Sequence, residues 1–172
     1  MLKLRTRSRP DRSIARRLYD EAVKRARNPA LYSEMGAPDT VEGRFELLTV
    51  HIVLVIERLN AVSERGLEIG QDVFDLYVRN LDGALREMGV GDLAVGKRMK
   101  SLGQIFYGRA VAYRAALTSL NLAEVEALVA RTILAERSGV SPRLLAGYLL
   151  GESGRLADLS SANLVGESAL GS

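Results

Sequence analysis

Residues 38–62 read PDTVEGRFELLTVHIVLVIERLNAV and include the longest uninterrupted apolar run of the chain, Ile52–Ile56. Apolar residues recur here at the helical period, and the opposite side of the same helix is also apolar. A helix that is apolar nearly all round is typical of a central, buried position. Glu42 lies three residues after Asp39, as in a capping box. We therefore predict a central helix that Asp39 caps and that ends near Val62.

The segments on both sides of this helix show the same periodicity. The other predicted helices cover about residues 14–27, 67–88, 92–117, 122–136 and 141–150, with a short apolar segment over 30–35. Beyond Gly151 the chain is rich in Gly, Ser, Ala and Leu with weak periodicity, which is typical of a loose tail. We predict an all-α fold with one compact helical domain of about six helices over residues 12–150. A basic arm over residues 1–11 precedes this domain, and a flexible tail over residues 151–172 follows it.

The composition excludes several kinds of site. The chain has 172 residues, no Cys and a single histidine, His51, so disulfides, thiolate metal sites and thiol nucleophiles are excluded. The residue three before His51 is Leu48 rather than the Glu of a di-iron bundle, and serine-nucleophile and paired-histidine motifs are absent. Because His51 lies close to the apolar stripe, we predict a hydrogen-bonded core histidine. The sequence favours a non-catalytic protein without metal or cofactor.

The charge is distributed unevenly along the chain. Residues 1–27 contain ten basic and three acidic residues, although the net charge of the whole chain is only +3. The remainder is therefore mildly acidic. A basic end attracts nucleic acid, anionic lipid or an acidic protein, and it is equally compatible with a solvated arm leading into a helix. One alternative function is therefore a basic module that binds nucleic acid or the ribosome.

The sequence also bears on location. Residues 2–10 alternate with arginine and do not form the apolar core of a secretory signal. The run Ile52–Ile56 is far shorter than the roughly 20 apolar residues of a membrane span. We expect a cytoplasmic protein, with a peripheral position on the inner face of the cytoplasmic membrane as the alternative.

The segment over residues 89–113 combines small residues with charge. Asp92 is the predicted N-cap of its helix, and Gly96 and Gly103 lie seven residues apart on one side of it. Each glycine inside a helix costs about 1 kcal/mol relative to alanine. Close approach of another helix, from this chain or from a partner, would offset that cost. Ordinary internal packing is the simpler explanation for Gly103.

Basic side chains flank these glycines. Arg98 and Arg109 share a stripe with apolar residues, so we expect them to pair with Asp82 and Asp92 or with a partner's acidic group. Lys97 and Lys100 lie on a polar face, and Tyr107 projects between that face and the glycines. Arg44, one turn into the central helix, is a further candidate. The predicted partner-binding residues are Arg44, Lys97, Arg98, Lys100, Tyr107 and Arg109.

Two long motifs resemble a known family. They are GAPDTVEGRFELL over residues 36–48, accompanied by Leu31-Tyr32, His51 and Arg58-Leu59, and LREMGVGDLAVGKR over residues 85–98, followed by Phe106-Tyr107-Gly108-Arg109. In this order they resemble the ubiquinol–cytochrome c chaperone family over about residues 14–135.

The resemblance implies an assembly factor for the cytochrome bc1 complex, complex III of the respiratory chain. Such a protein binds newly made cytochrome b or a bc1 assembly intermediate, works with a small partner protein and associates with the ribosome. The short N-terminus suggests a bacterial member, and residues 1–27 suit peripheral contact with an anionic membrane. A third class, a di-iron or ligand-binding helical enzyme, would require bound metal or ligand.

Overall fold

The chain folds around its most apolar segment. The computed structural model describes residues 9–135 and 137–166, and all regular elements within these ranges are helices, which confirms the all-α prediction. The helices are α1 (Arg9–Ala26), α2 (Pro29–Ser33), α3 (Val41–Asn60), α4 (Glu64–Glu87), α5 (Asp92–Thr118), α6 (Leu122–Arg131), α7 (Arg143–Asp158) and α8 (Ser161–Val165).

Helix α3 is the centre of the core. It contacts α1, α4, α5 and α7, so apolar side chains on every side of it find a neighbour. Leu47, Ile52 and Leu59 are fully buried on it. This arrangement agrees with the pattern of a helix that is apolar nearly all round.

The start of α3 differs from the prediction. The N-cap is Thr40, whose hydroxyl accepts a hydrogen bond from the Gly43 N–H at 3.1 Å. Asp39 instead accepts a hydrogen bond of 2.6 Å from Arg44, so the prediction that Asp39 caps the helix is wrong. The cause is the extended backbone of Thr40, which places its own hydroxyl over the first turn.

The C-terminal region is more ordered than its composition suggests. Helix α7 continues through residue 150 to Asp158, and Leu164 and Val165 of α8 are buried, so the boundary predicted at residue 150 falls inside a helix. Hydrogen bonds from the Arg58 guanidinium to the carbonyl oxygens of Leu156 and Leu159, both at 3.0 Å, attach this region to α3. Core packing of Leu156, Leu164 and Val165 holds the region together with these polar contacts, and the weak apolar period of residues 151–172 reveals neither.

Other boundaries shift less. Helix α1 already includes residues 9–11, which the sequence analysis places in the arm, whereas residues 1–8 of that arm lie outside the described residues. Helix α4 begins at Glu64, where the Ser63 hydroxyl caps it, and α6 ends at Arg131 instead of residue 136. Within the described ranges, no helix combines the length and the hydropathy that crossing a bilayer requires.

Candidate binding groove

A groove of about 520 Å³ is lined by residues of α1, α2, α3, α4 and α5 and by Arg27 and Met88, which directly follow α1 and α4. Twelve of its seventeen lining residues are apolar or aromatic, among them Val23, Phe45, Leu48, Leu85, Leu102 and Ile105. Val41 and Met88, which also line it, are 59% and 60% exposed. Pockets of about 300–1,000 Å³ with such a lining are typical of ligand sites in proteins. The groove is therefore the candidate functional site.

Five charged side chains line the groove: Arg27, Glu42, Arg44, Glu46 and Arg98. Two of these five have partners. The Arg109 guanidinium donates two hydrogen bonds to the Glu46 carboxylate, at 2.8 and 2.7 Å, and this contact raises the pKa of Arg109. Arg44 donates to Asp39, which lowers the pKa of that carboxyl.

The other three charges of the groove are available. Among the described residues, Arg27, Glu42 and Arg98 have no ion-pair partner. Two of the three are cations. The unpaired charge of the groove is therefore positive on balance.

The arginines of the predicted stripe do not pair as expected. Asp82 and Asp92 both bind Arg86, which lies four residues after Asp82 and reaches the first turn of α5. Arg109 pairs with Glu46 instead, so the predicted pairing of Arg98 and Arg109 with Asp82 and Asp92 is wrong. Asp92 is also not the N-cap of α5, because Gly91 occupies that position.

The six predicted partner-binding residues are divided between two places. Arg44 and Arg98 line the groove, and Arg109 supports it through Glu46. Lys97, Lys100 and Tyr107 are exposed elsewhere on α5 and do not line the groove. We call these three residues, with the exposed Leu93 and Val111, the outer face of α5. The ring of Tyr107 contacts Phe74 at a centroid distance of 6.3 Å, and its side chain is 65% exposed.

The glycines of α5 face open space. A Cβ atom added at Gly96 or Gly103 would meet no atom of the described chain within 4 Å. The close helix approach expected at these positions therefore does not occur within the described residues, and internal packing does not explain Gly103. The glycines leave the surface of α5 accessible to a partner.

His51 lies outside the groove in a buried polar network. Its Nδ1 lies 2.7 Å from the Leu47 carbonyl oxygen, which can only accept, so Nδ1 carries the proton. Nε2 therefore accepts from the Tyr148 hydroxyl at 2.9 Å. Burial lowers the pKa of His51 and raises the pKa of Tyr148 to about 12. This is the geometry of the hydrogen-bonded core histidine that the sequence predicts.

A second cavity, of about 330 Å³, adjoins His51 and is lined by several charged side chains. Glu152, which is 7% exposed, pairs with Arg25 at 2.6 Å and with Arg155 at 3.1 Å. The pair with Arg25 joins α7 to α1, whereas the pair with Arg155 lies within α7. Because the buried Glu152 carboxylate is paired with two arginines of the same network, we describe this network as structural.

Sequence reasoning missed the residues that α1 and α2 contribute to the groove. Val23, Arg27 and Tyr32 lie far from α5 in the sequence and reach the groove only through tertiary packing. Glu46 was missed because its partner lies 63 residues away. Among the described residues, no group of three potential metal ligands occurs. The groove suits binding through apolar contact and ion pairing.

Known proteins show which family has this fold. A family model described as ubiquinol-cytochrome C chaperone matches residues 33–169, including the C-terminal region that the sequence motifs did not cover. The crystal structure of the Cbp3 homolog from Brucella abortus is similar, with a TM-score of 0.83, 32% identity and coverage of 92% of this chain and 88% of that chain. A search of curated proteins finds no significant match. The chain therefore belongs to the ubiquinol-cytochrome C chaperone family.

Proposed function

We propose that this protein is a non-catalytic assembly chaperone for the cytochrome bc1 complex and that it binds newly made cytochrome b or a bc1 assembly intermediate. Membership of the ubiquinol-cytochrome C chaperone family supports the assembly role. The observation that carries the binding mode is the apolar groove, with Val41 and Met88 exposed along it. In this proposal the groove holds an apolar segment of the client.

The physical basis is the burial of apolar surface. A membrane subunit that has not yet been inserted exposes apolar segments to water, and covering such a surface stabilises it by about 25 cal/mol per Å². A groove built from helices offers shape and apolar contact to one face of a helical segment. Release requires only that the membrane or the assembling complex bind the segment more tightly.

The outer face of α5 is proposed as a second contact surface. Lys97 and Lys100 are exposed there, and Leu93 is 98% exposed. Exposed charges beside apolar groups favour association and determine orientation more than they add to stability. We assign this face to a further part of the client or to a small partner protein.

The alternative function is a basic module that binds nucleic acid or the ribosome. The contacts of the basic residues on α1 favour it less than the chaperone function. Arg16 pairs with Asp20 at 3.0 Å, and Arg25 pairs with Glu152 at 2.6 Å. Arg17 donates to the carbonyl oxygen of Asn163 at 2.7 Å. Half of the six basic residues over 12–27 thus have contacts within the chain, which weakens the basic surface that phosphate binding requires. The same contacts also weaken the binding of residues 1–27 to an anionic membrane, so this contact, with a position on the inner face of the cytoplasmic membrane, is a secondary part of the proposal.

Capture from cells tests this proposal. The tagged full chain replaces the endogenous protein, membranes are solubilised gently, and captured proteins are identified by mass spectrometry. We expect cytochrome b or another bc1 subunit with the wild type and a severalfold loss with Val41→Asp/Met88→Asp. Leu67→Asp/Leu144→Asp is the matched control, because these residues are also exposed apolar side chains but lie outside the groove. Equal capture by all three proteins, or no bc1 subunit with any, contradicts the proposal.

A further inference from the structure

We infer that the groove selects an apolar helical segment that carries an acidic side chain, and that Arg98, together with Arg27, binds this carboxylate. The inference rests on the proposed function, since it describes the occupant of the same groove. It adds a rule of recognition: apolar surface alone is insufficient, and a carboxylate beside it determines which segment binds.

The pairing of charges around the groove carries the first step. Glu46 is bound by Arg109, and Arg44 is bound to Asp39. Arg27 and Arg98 also line the groove, and neither has a carboxylate partner among the described residues, whereas Glu42 is the one unpaired carboxylate among the described lining residues, so two cations stand against one anion. The available charge therefore favours an anionic group in the occupant.

The loss of water from Arg98 on binding makes the groove select segments that carry a carboxylate. An apolar segment in the groove displaces water from Arg98, because Leu102 and Ile105 follow it on the same side of α5 and line the same groove. A cation that loses water without gaining a partner is destabilised. A carboxylate restores that loss through charge-assisted hydrogen bonds, which a guanidinium can make in pairs. Neutral apolar segments therefore bind less tightly than acidic ones.

The spacing along α5 defines where the acidic residue lies. Arg98 precedes Leu102 by four residues and Ile105 by seven, which is one and two helical turns. An occupant helix that runs along α5 would therefore place its carboxylate one to two turns from its own apolar anchors. Lys97 and Lys100, on either side of Arg98 in the sequence, raise the positive potential at this end of the groove.

Peptide binding to the full chain tests the inference. The probes are two labelled helical peptides of about 20 residues, long enough to form helix in water. Both have the same leucine–alanine face, and they differ only by Glu or Gln at one position beside that face. Binding is followed by fluorescence anisotropy at low and at high salt. We expect the Glu peptide to bind about tenfold more tightly than the Gln peptide at low salt, with a smaller difference at high salt.

Variants separate the arginines from the rest of the groove. Arg27→Gln/Arg98→Gln should remove the preference and leave the affinity for the Gln peptide unchanged or higher. The control Arg137→Gln, at an exposed arginine outside the groove, should keep the preference. Equal affinity of the wild type for both peptides, or no binding of either, overturns the inference. The proposed function is tested separately, by the capture of bc1 subunits.

Anionic lipid is the competing source of negative charge. Vesicles of phosphatidylcholine with and without phosphatidylglycerol are therefore tested with the same proteins. Because Arg27 belongs to the basic segment that is proposed to contact membranes, Arg98→Gln alone is used here, and we expect it to bind both kinds of vesicle as the wild type does. If Arg98→Gln weakens binding to the anionic vesicles and does not affect the Glu peptide, the groove recognises lipid and the inference is wrong.

Discussion

Arg109 on α5 and Glu46 on α3 are joined by two hydrogen bonds, at 2.8 and 2.7 Å, beside the groove. The Arg109 side chain is 27% exposed and that of Glu46 is 14% exposed, so water screens the pair only in part. The pair connects the central helix with the helix that carries Arg98, Leu102 and Ile105. It therefore contributes to the shape of the groove as well as to stability.

Breaking this pair should destabilise the fold. We expect Arg109→Met or Glu46→Gln to lower the free energy of unfolding by about 2 kcal/mol, less than for a fully buried pair because Arg109 retains some solvent. The double variant should lose less than the sum of the two, since it leaves no unpaired charge. Urea unfolding measures all three. Arg114→Met, which breaks a more exposed pair with Glu57, is the control and should have a much smaller effect.

The stability of the protein should depend on pH through His51. Burial lowers the pKa of the His51 imidazole in the folded protein below its ordinary value of 6.5. Below pH 6.5 His51 is protonated in the unfolded chain but stays neutral in the folded protein until the pH reaches its lower folded pKa. The free energy of unfolding therefore falls by up to about 1.4 kcal/mol per pH unit in this range. Above that pH both forms are neutral, and His51 adds no pH dependence.

The variant His51→Gln isolates this contribution. The difference in unfolding free energy between the wild type and this variant should shrink as the pH falls from about 7.5 to 5.5. Tyr148→Phe removes the partner hydroxyl but keeps the imidazole, so its profile should stay parallel to that of the wild type. A constant difference between the wild type and His51→Gln would show that the histidine does not titrate as described.

The sequence predicts the central helix well because its signal is local. The apolar period of residues 41–60 predicts a helix that is buried on all sides, and the structure agrees over residues 49–55, while the first turn with Val41 is exposed beside the groove. Asp39 and Thr40 are adjacent, and both residue types are common N-caps. Which of them caps the helix depends on the backbone angles of Thr40, and the sequence does not specify these angles. In the structure the Arg44 guanidinium donates a hydrogen bond to the Asp39 carboxylate, so this carboxylate does not cap the helix.

The C-terminal region and the groove depend on contacts distant in sequence. Glu152 is buried on α7 only because Arg25 and Arg155 neutralise it, so a charged residue occupies a core position that periodicity assigns to the surface. The groove combines side chains from five helices. Its predicted residues on α3 and α5, Arg44 and Arg98, follow from their positions on predicted helices, whereas those on α1 and α2 carry no local signal.

Alanine at the open glycines of α5 should stabilise the protein. Because an added Cβ at Gly96 or Gly103 meets no atom within 4 Å, each substitution should raise the free energy of unfolding by up to about 1 kcal/mol through helix propensity. Thermal unfolding followed by circular dichroism measures the change. Gly43→Ala is the contrasting variant and should be destabilising, since its Cβ would collide with the carbonyl of Pro38. Destabilisation by Gly96→Ala would indicate that α5 packs differently.

Reversing charge on the outer face of α5 should separate binding from stability. Lys97→Glu/Lys100→Glu should leave the melting temperature nearly unchanged, because exposed charges contribute little to stability. The same variant should lose most of its capture of the client or partner. Arg131→Glu/Arg137→Glu makes the same change in net charge at exposed positions elsewhere and serves as the control. Undiminished capture by the Lys97/Lys100 variant would leave the groove as the single contact surface of the proposal.

The ubiquinol–cytochrome c reductase activity of membranes tests the central claim most directly. It is measured in cells that lack the protein and in the same cells supplied with the wild type, Val41→Asp/Met88→Asp or Leu67→Asp/Leu144→Asp, each at equal abundance by immunoblot. We expect activity to be lost without the protein, restored by the wild type and by the Leu67/Leu144 control, and not restored by the groove variant. Full activity in cells that lack the protein would contradict the assembly role, and full rescue by the groove variant would contradict its assignment to the groove.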